Sequence, residues 1–418
     1  MISVLKIKNF FLLFSGRLLT NLGDSIYSVA AMWLVFKLTG SSFYTGLAGM
    51  LIMLPGIFEF LVGPLIDRWR LKSILIYTQW IQAFVVMAVP LSYFLGFLNV
   101  WLVIFVMLIA TSIEQIVYPA QQAALPKLLK KEDLVAGNSL MTFAYQGTDI
   151  VLVGLSGILI VYIGVINIYL IDVLTFVLAA LIFGLMKFPL ADTNPSSLES
   201  KKSYFSELKE GKDFVKNSII LKMLIPLTII NFIFGMITAI MPEFSSHIGG
   251  EAFYGYFLCT MSISLLLGSL LSQILTKLPL GYTTISCFFL SAFFWFCSYL
   301  SSHPLMILFN FGLAFIPIGI HNVILVSTIQ SLVPEELTGR VFALVGSLSA
   351  LFLPIGSLLG GFLSTQIEIK LIYGLGSFAI LFIAMYWLLT SKLRALPAPG
   401  NVSEDHPQLS VNDENSFN

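Results

Sequence analysis

Apolar positions in this chain gather into long blocks, and polar positions into short clusters between them. Blocks long enough to cross a hydrocarbon layer of about 30 Å, at about 1.5 Å per helical residue, lie near 11–36, 42–66, 73–98, 100–124, 136–162 and 166–188. A second set follows near 219–242, 252–276, 280–301, 304–331, 341–364 and 370–391. The pattern predicts an all-α polytopic membrane protein with about twelve transmembrane helices, grouped six and six around a polar connection. The expected division is a six-helix domain over 1–190, a linker over 191–218, a second six-helix domain over 219–394 and a disordered polar tail over 395–418. Within the linker Tyr204, Phe205, Leu208, Gly211, Phe214 and Val215 recur at helical spacing, with lysines on the other faces. That predicts an amphipathic helix lying on the cytoplasmic leaflet.

Composition supports the membrane reading. Of 418 residues 57% are hydrophobic and 11% charged, with mean hydropathy +0.93, against about 25% charged in soluble domains. Formal net charge is zero, which gives no reason to expect a nucleic-acid partner. The placement of charge is informative instead. Outside the spans, every lysine and arginine except Lys37 and Lys370 falls on the side of the loop around Asp67. Positive loops are retained inside, so both termini are expected in the cytoplasm. Met1 to Lys8 leads straight into a long apolar run with no small-residue cleavage pattern, which reads as a first span and not a removable signal. Cys259, Cys287 and Cys297 lie in apolar runs without His or Cys at metal spacing, so neither a metal site nor a disulfide is expected. No phosphate loop, nucleophile elbow or His-Glu-x-x-His is present. The chain is expected to be no enzyme and to drive nothing with ATP.

The stretch Gly63-Pro64-Leu65-Ile66-Asp67-Arg68-Trp69-Arg70-Leu71-Lys72 joins the second and third blocks in a very short connection. A weak internal repeat at about 200 residues pairs Glu132-Asp133-Leu134 with Glu335-Glu336-Leu337, Tyr44-Thr45-Gly46 with Phe253-Tyr254-Gly255, and Asn21 with Asn231. The pattern Gly63-x-x-x-Asp67-Arg68 followed by cations resembles the signature loop between helices 2 and 3 of the major facilitator superfamily. Arg70 stands where the usual form has a second glycine. Further stretches resemble the branch holding macrolide-efflux and enterobactin-exporter proteins. They are Gly16-Arg17 with Asn21-Leu22-Gly23-Asp24, Tyr118-Pro119-Ala120 with Ala124-Leu125-Pro126, Val333-Pro334-Glu335-Glu336 with Gly339-Arg340-Val341-Phe342, and Pro354-Ile355-Gly356 with Gly360-Gly361. The resemblance implies the major facilitator fold and a proton-coupled exporter of amphipathic compounds in a bacterial cytoplasmic membrane. It implies rocking of two six-helix domains, with Gly63, Asp67 and Arg68 as a conformational latch. Span 4 has Glu114 and Gln115 near the level where many drug antiporters carry an arginine.

Ionisable residues within spans are the candidate functional groups: Arg17, Asp24, Glu59, Glu114, Asp149 and Asp172. Each costs about 2.5–3.5 kcal/mol at mid-helix unless it finds a partner, water or a proton. Arg17, Asn21, Asp24 and Ser28 recur at steps of three and four, on one face of helix 1. That face is expected to line a cavity, with Asp24 exchanging a proton and Glu114, Asp149 and Glu59 beside it. The alternative is that Arg17 sits near the cytoplasmic edge and snorkels or pairs with a neighbouring helix, and that the carboxylates are hydrogen-bonded packing groups; Asp172 fits that role best. The second half is expected to supply an apolar wall of Phe288, Phe289, Phe293, Phe294, Trp295, Phe296, Phe309 and Phe311. His321 with Asn322 could face the cavity, but a hydrogen-bonded helix contact is the preferred reading. The expected function is efflux of amphipathic drugs by a monomer, with the proton gradient as energy source and no cofactor. The alternatives are a dedicated exporter of one metabolite, such as a siderophore or lysophospholipid, and a non-transporting membrane sensor or assembly factor.

Overall fold

A computed structural model describes residues 4–57, 69–187, 204–275, 277–334 and 337–398, and among them secondary structure is helical without strands. The helices are α1 (Lys8–Thr39), α2 (Ser42–Ile57), α3 (Leu71–Phe94), α4 (Val100–Leu128), α5 (Leu134–Thr142 and Thr148–Ile163, joined by a π-turn at Phe143–Gly147) and α6 (Val165–Gly184). They continue with α7 (Tyr204–Asn217), α8 (Ile220–Gly249), α9 (Glu251–Leu275), α10 (Leu280–Leu300), α11 (Pro304–Leu332), α12 (Thr338–Ala350 and Phe352–Leu363) and α13 (Ile369–Leu389). Among the described residues ten helices are long and apolar enough to cross a membrane, and Ser42–Gly56 and Val151–Ile163 are apolar but shorter. Among the described residues ten of the twelve expected blocks are thus helices long enough for a crossing, and the other two are shorter apolar helices. The second block, expected to reach residue 66, runs as helix to Ile57 and then leaves the described residues.

The chain forms two compact units, residues 1–194 with 241–259, and residues 195–240 with 260–418. In the first unit α1 ends at Gly40, whose φ of 63° returns its N–H to the Phe36 carbonyl at 2.7 Å; only glycine takes that conformation without strain. One end of the bundle is filled by Phe10, Leu13, Leu75, Ala124, Leu125 and Phe183. There Lys72 Nζ donates to the carbonyls of Gly184 and Met186, at 2.8 and 2.7 Å, a cation on the orphan acceptors ending α6. Asn9 exchanges two hydrogen bonds with the Lys187 backbone, at 2.7 and 3.0 Å. At α2 the Glu243 carboxylate accepts from the Ser42 N–H at 2.8 Å, placing negative charge on a helix N-terminus. Gly157 of α5 and Gly255 of α9 meet backbone to backbone: a Cβ on either would fall within 2.5 Å of the other's main chain.

In the second unit Trp295 of α10 is the packing centre. Its indole N–H donates to the Tyr373 carbonyl at 3.1 Å, and its ring meets those of Phe311, Phe315 and Tyr373. Small residues bring α9 and α11 together at Gly268 and Gly319, the mode of helix contact that lipid favours. The amphipathic helix forms as α7, but it is tied to protein. Glu210 pairs with Arg340 of α12, and Val215 is 3% exposed. The tail also starts ordered: the Leu396 and Pro397 carbonyls accept from the Gly281 and Leu280 N–H groups, capping α10. The rest of the expected disordered tail, from residue 399, lies outside the described residues.

Candidate functional site

The helical face of α1 expected from spacing exists. Arg17 and Asn21 are 1% and 4% exposed, Asp24 is half-buried and Ser28 exposed, so the face opens progressively along the helix. Arg17 faces Glu114 of α4, Nη2 to Oε1 3.9 Å, and its guanidinium carbon lies 4.3 Å from the Tyr145 ring centroid. Cation and ring attract electrostatically, more so away from water. Tyr145 in turn packs on Tyr118, ring centroids 4.9 Å apart.

The π-turn explains how α5 joins this cluster. Through Phe143–Gly147 the helix widens by one residue, with the Thr148 N–H reaching the Phe143 carbonyl five residues back. Such bulges release a carbonyl from the regular ladder and recur at functional sites. Here the side-chain amide of Asn21 donates to the Tyr145 carbonyl at 3.1 Å and to Thr148 Oγ1 at 2.7 Å. One turn on, Ser25 Oγ donates to Asp149 Oδ1 at 2.7 Å. Asp149 is itself exposed. Asp24 lies in the electric field of Glu114, Arg17 and Asp149. The structure thus brings Arg17, Asn21, Asp24, Glu114 and Asp149 into one cluster, in which a single cation faces three carboxylates. Glu59, Gly63, Asp67 and Arg68 lie outside the described residues.

Sequence reasoning missed Tyr145, Thr148 and Ser25. An aromatic ring and two small hydroxyls in apolar runs read as packing, and no pattern marks a π-turn. Ser25 alone carried a signal, four residues after Asn21 on the polar face.

The second unit holds a cavity of about 310 Å³ lined by Asn231, Phe234, Phe288, Trp295, Phe315, Asn322 and aliphatic side chains, with no ionisable side chain among the described residues around it. Asn322 lines it, whereas His321 makes the preferred helix contact: it is 3% exposed, 3.3 Å from Thr284 Oγ1, with its ring against Phe288. The expected aromatic wall needs correction. Phe288 and Trp295, seven residues apart on one face of α10, line the cavity, whereas Phe293, Phe296 and Phe309 are 59%, 37% and 62% exposed on outward faces. Composition alone had merged the two faces. Phe311 is buried against Trp295 and belongs to the core.

Comparison with known proteins matches this architecture along its whole length. A family model described as transmembrane secretion effector matches residues 1–415. The chain is 24% identical over 420 residues to the uncharacterized MFS-type transporter YkuC of Bacillus subtilis, covering 96% of each chain. It is 24% identical over 401 residues to macrolide efflux protein A of Streptococcus pyogenes, covering 93% of this chain and 97% of that one. Among solved structures, a bacterial homologue of the human lysosomal transporter Spinster, inward-facing and unoccupied, superimposes with a TM-score of 0.66 at 12% identity, covering 92% of this chain and 95% of that one. The helices and their order are those of a multi-pass membrane transporter, and the chain belongs to the transmembrane secretion effector family of the major facilitator superfamily.

Proposed function

We propose that this transporter is a proton-coupled exporter of amphipathic drugs or related small molecules, working by alternating access in a bacterial cytoplasmic membrane with both termini in the cytoplasm. The observation that carries the reading is the charge imbalance around α1. Arg17 pairs with Glu114 at 3.9 Å, and among the described residues Asp24 and Asp149 form no ion pair of their own, Arg17 being the cation whose field reaches Asp24. In a membrane interior such carboxylates need protons or a cationic ligand, and competition between the two couples one flux to the other. The second unit separately holds an aromatic cavity with no ionisable side chain among its described residues, and an apolar wall tolerates varied shapes. One proton entering down 100 mV supplies about 2.3 kcal/mol, enough for about a 50-fold gradient of a neutral compound. Asp67 and Arg68, with Gly63, serve in this reading as the latch that the family resemblance implies.

The test is efflux of a panel of cationic and neutral fluorescent dyes from inside-out vesicles, with and without a protonophore, alongside Asp24→Asn. Several dyes moved in a protonophore-sensitive way, and lost in Asp24→Asn, is the expected result. Correctly inserted protein that moves no dye rejects multidrug export and points to a single dedicated metabolite.

A further inference from the structure

Behind the cluster, on the adjoining face of α1, lies a second and more enclosed polar group. Asp172 of α6 is 0% exposed, Tyr169 one turn earlier is 0% exposed, and Tyr27 of α1 is 6% exposed. The two tyrosine rings meet edge to face, centroids 5.0 Å apart. Asp172 Oδ2, the Tyr169 hydroxyl and the Tyr27 hydroxyl are all buried without a hydrogen-bond partner among the described residues. Oδ1 of Asp172 has only the Thr175 hydroxyl, at 3.4 Å, and that hydroxyl lies closer to the Asp172 carbonyl, at 2.7 Å. Gly23 presses α1 onto this spot: a Cβ there would lie 2.3 Å from Asp172 Oδ1 and 2.2 Å from Thr175 Oγ1. The backbone therefore seals the carboxyl group against any added side chain.

The charges acting on Asp172 are those of Asp24 and Glu114, both acidic, while Arg17 is engaged with Glu114 and Tyr145. A bare carboxylate in such a place would carry the full cost of a buried unpaired charge. A carboxyl group bearing a proton is instead a donor, and tyrosine hydroxyls accept as well as donate. The Tyr27 hydroxyl lies in the fields of Tyr169, Asp172 and Asp24, and Tyr27 follows Asp24 by three residues on α1.

We propose that Asp172, with Tyr169 and Tyr27, is a second proton-holding site that exchanges its proton with Asp24. The transfer requires the Tyr27 hydroxyl, unpartnered at rest among the described residues, to turn between the two carboxyl groups; the Asp172 O–H bond then breaks as its proton passes to the Tyr27 oxygen, while the Tyr27 proton passes to the Asp24 carboxylate. One proton moves, one negative charge returns to Asp172, and Tyr27 ends as it began. Asp172 holds the proton while Asp24 is engaged by substrate. The site deepens the proton coupling proposed above and rests on that reading only for its effect on transport.

Infrared spectroscopy of the purified full chain tests the site without any substrate. The carbonyl stretching band of a protonated carboxyl group is expected in the wild type and in Asp24→Asn, absent in Asp172→Asn, and displaced in Tyr169→Phe, which keeps the fold and removes one hydrogen-bonding group. A spectrum unchanged by both Asp172→Asn and Tyr169→Phe overturns the proposal. In proteoliposomes loaded with ethidium, dye efflux by Asp172→Asn is expected to lose its dependence on an imposed pH gradient while dye binding persists, and Tyr27→Phe to slow gradient-driven efflux several-fold. A full pH response in Asp172→Asn also overturns it. Wild-type efflux indifferent to the gradient would reject proton coupling itself, and the infrared bands would still decide where the proton is held.

Discussion

An arginine 1% exposed inside a membrane span persists because its neighbours answer its charge in three ways: a carboxylate at 3.9 Å, an aromatic face at 4.3 Å and an amide oxygen at 3.5 Å. Removing the cation leaves Glu114 half-buried without an answer, and breaking a fully buried pair from one side costs up to about 3–5 kcal/mol. The Arg17–Glu114 contact is long and Glu114 is 28% exposed, so Arg17→Gln is expected at the low end of that range. Thermal unfolding in detergent should show the loss, and the double variant Arg17→Gln/Glu114→Gln should recover part of it. Strict additivity would show that the two residues do not act as a pair. Asn21→Ala strands the Tyr145 carbonyl and should lower stability by about 1 kcal/mol. At this scale the polar face of α1 was legible because charged and amide side chains stand out in an apolar run. The roles of Tyr145, Ser25 and Thr148 were not, since rings and hydroxyls occur in spans for packing as often as for binding. Phe309 shows the converse: an aromatic residue is visible in a sequence, but the side of the helix it occupies follows only from its neighbours.

At the scale of elements, apolar block length located most of the apolar helices to within a few residues, missed the end of α8 at Gly249 by seven, and said nothing about the π-turn in α5. That turn holds one residue more than an α-helix of the same rise. Deleting Ala144 is expected to restore regular winding with Thr148–Ile163 facing as before, so that Ser25 still meets Asp149 while Asn21 loses the Tyr145 carbonyl that the π-turn releases. A structure of the deletion variant in which Asp149 has turned away from Ser25 would show that the bulge does more than absorb one residue. Helix contacts give a second test. Gly268 of α9 lies against Gly319 of α11, where a Cβ would sit 2.9 Å from the opposing Cα, while Gly346 of α12 has nothing within 4 Å. Gly268→Val should lower the melting temperature by several degrees and Gly346→Ala should leave it unchanged. Equal effects would mean that close approach does not hold these helices together.

For the whole molecule, the lysine and arginine distribution sets an expected orientation. In a background lacking Cys259, Cys287 and Cys297, cysteines placed at Lys8 or Ser391 should react with a membrane-impermeant maleimide only in inside-out vesicles. One at Gly40 or Lys370 should react only in intact cells, and the reverse pattern would invert the topology. The sequence repeat and the linker marked the division into two halves, yet the compact units do not follow it. Residues 241–259, which lie beyond the linker, cluster with residues 1–194, and Glu243 among them caps α2. No feature of the second repeat announces this, because Glu243 owes its role to the helix end it meets. The consequence concerns fragments. A gene cut within the linker would yield a first polypeptide whose α2 lacks its acidic cap and whose Gly157 face is bare, so neither piece should be stable when made alone. Produced together, the pieces should rescue each other, and the yield of each should depend on the other's presence.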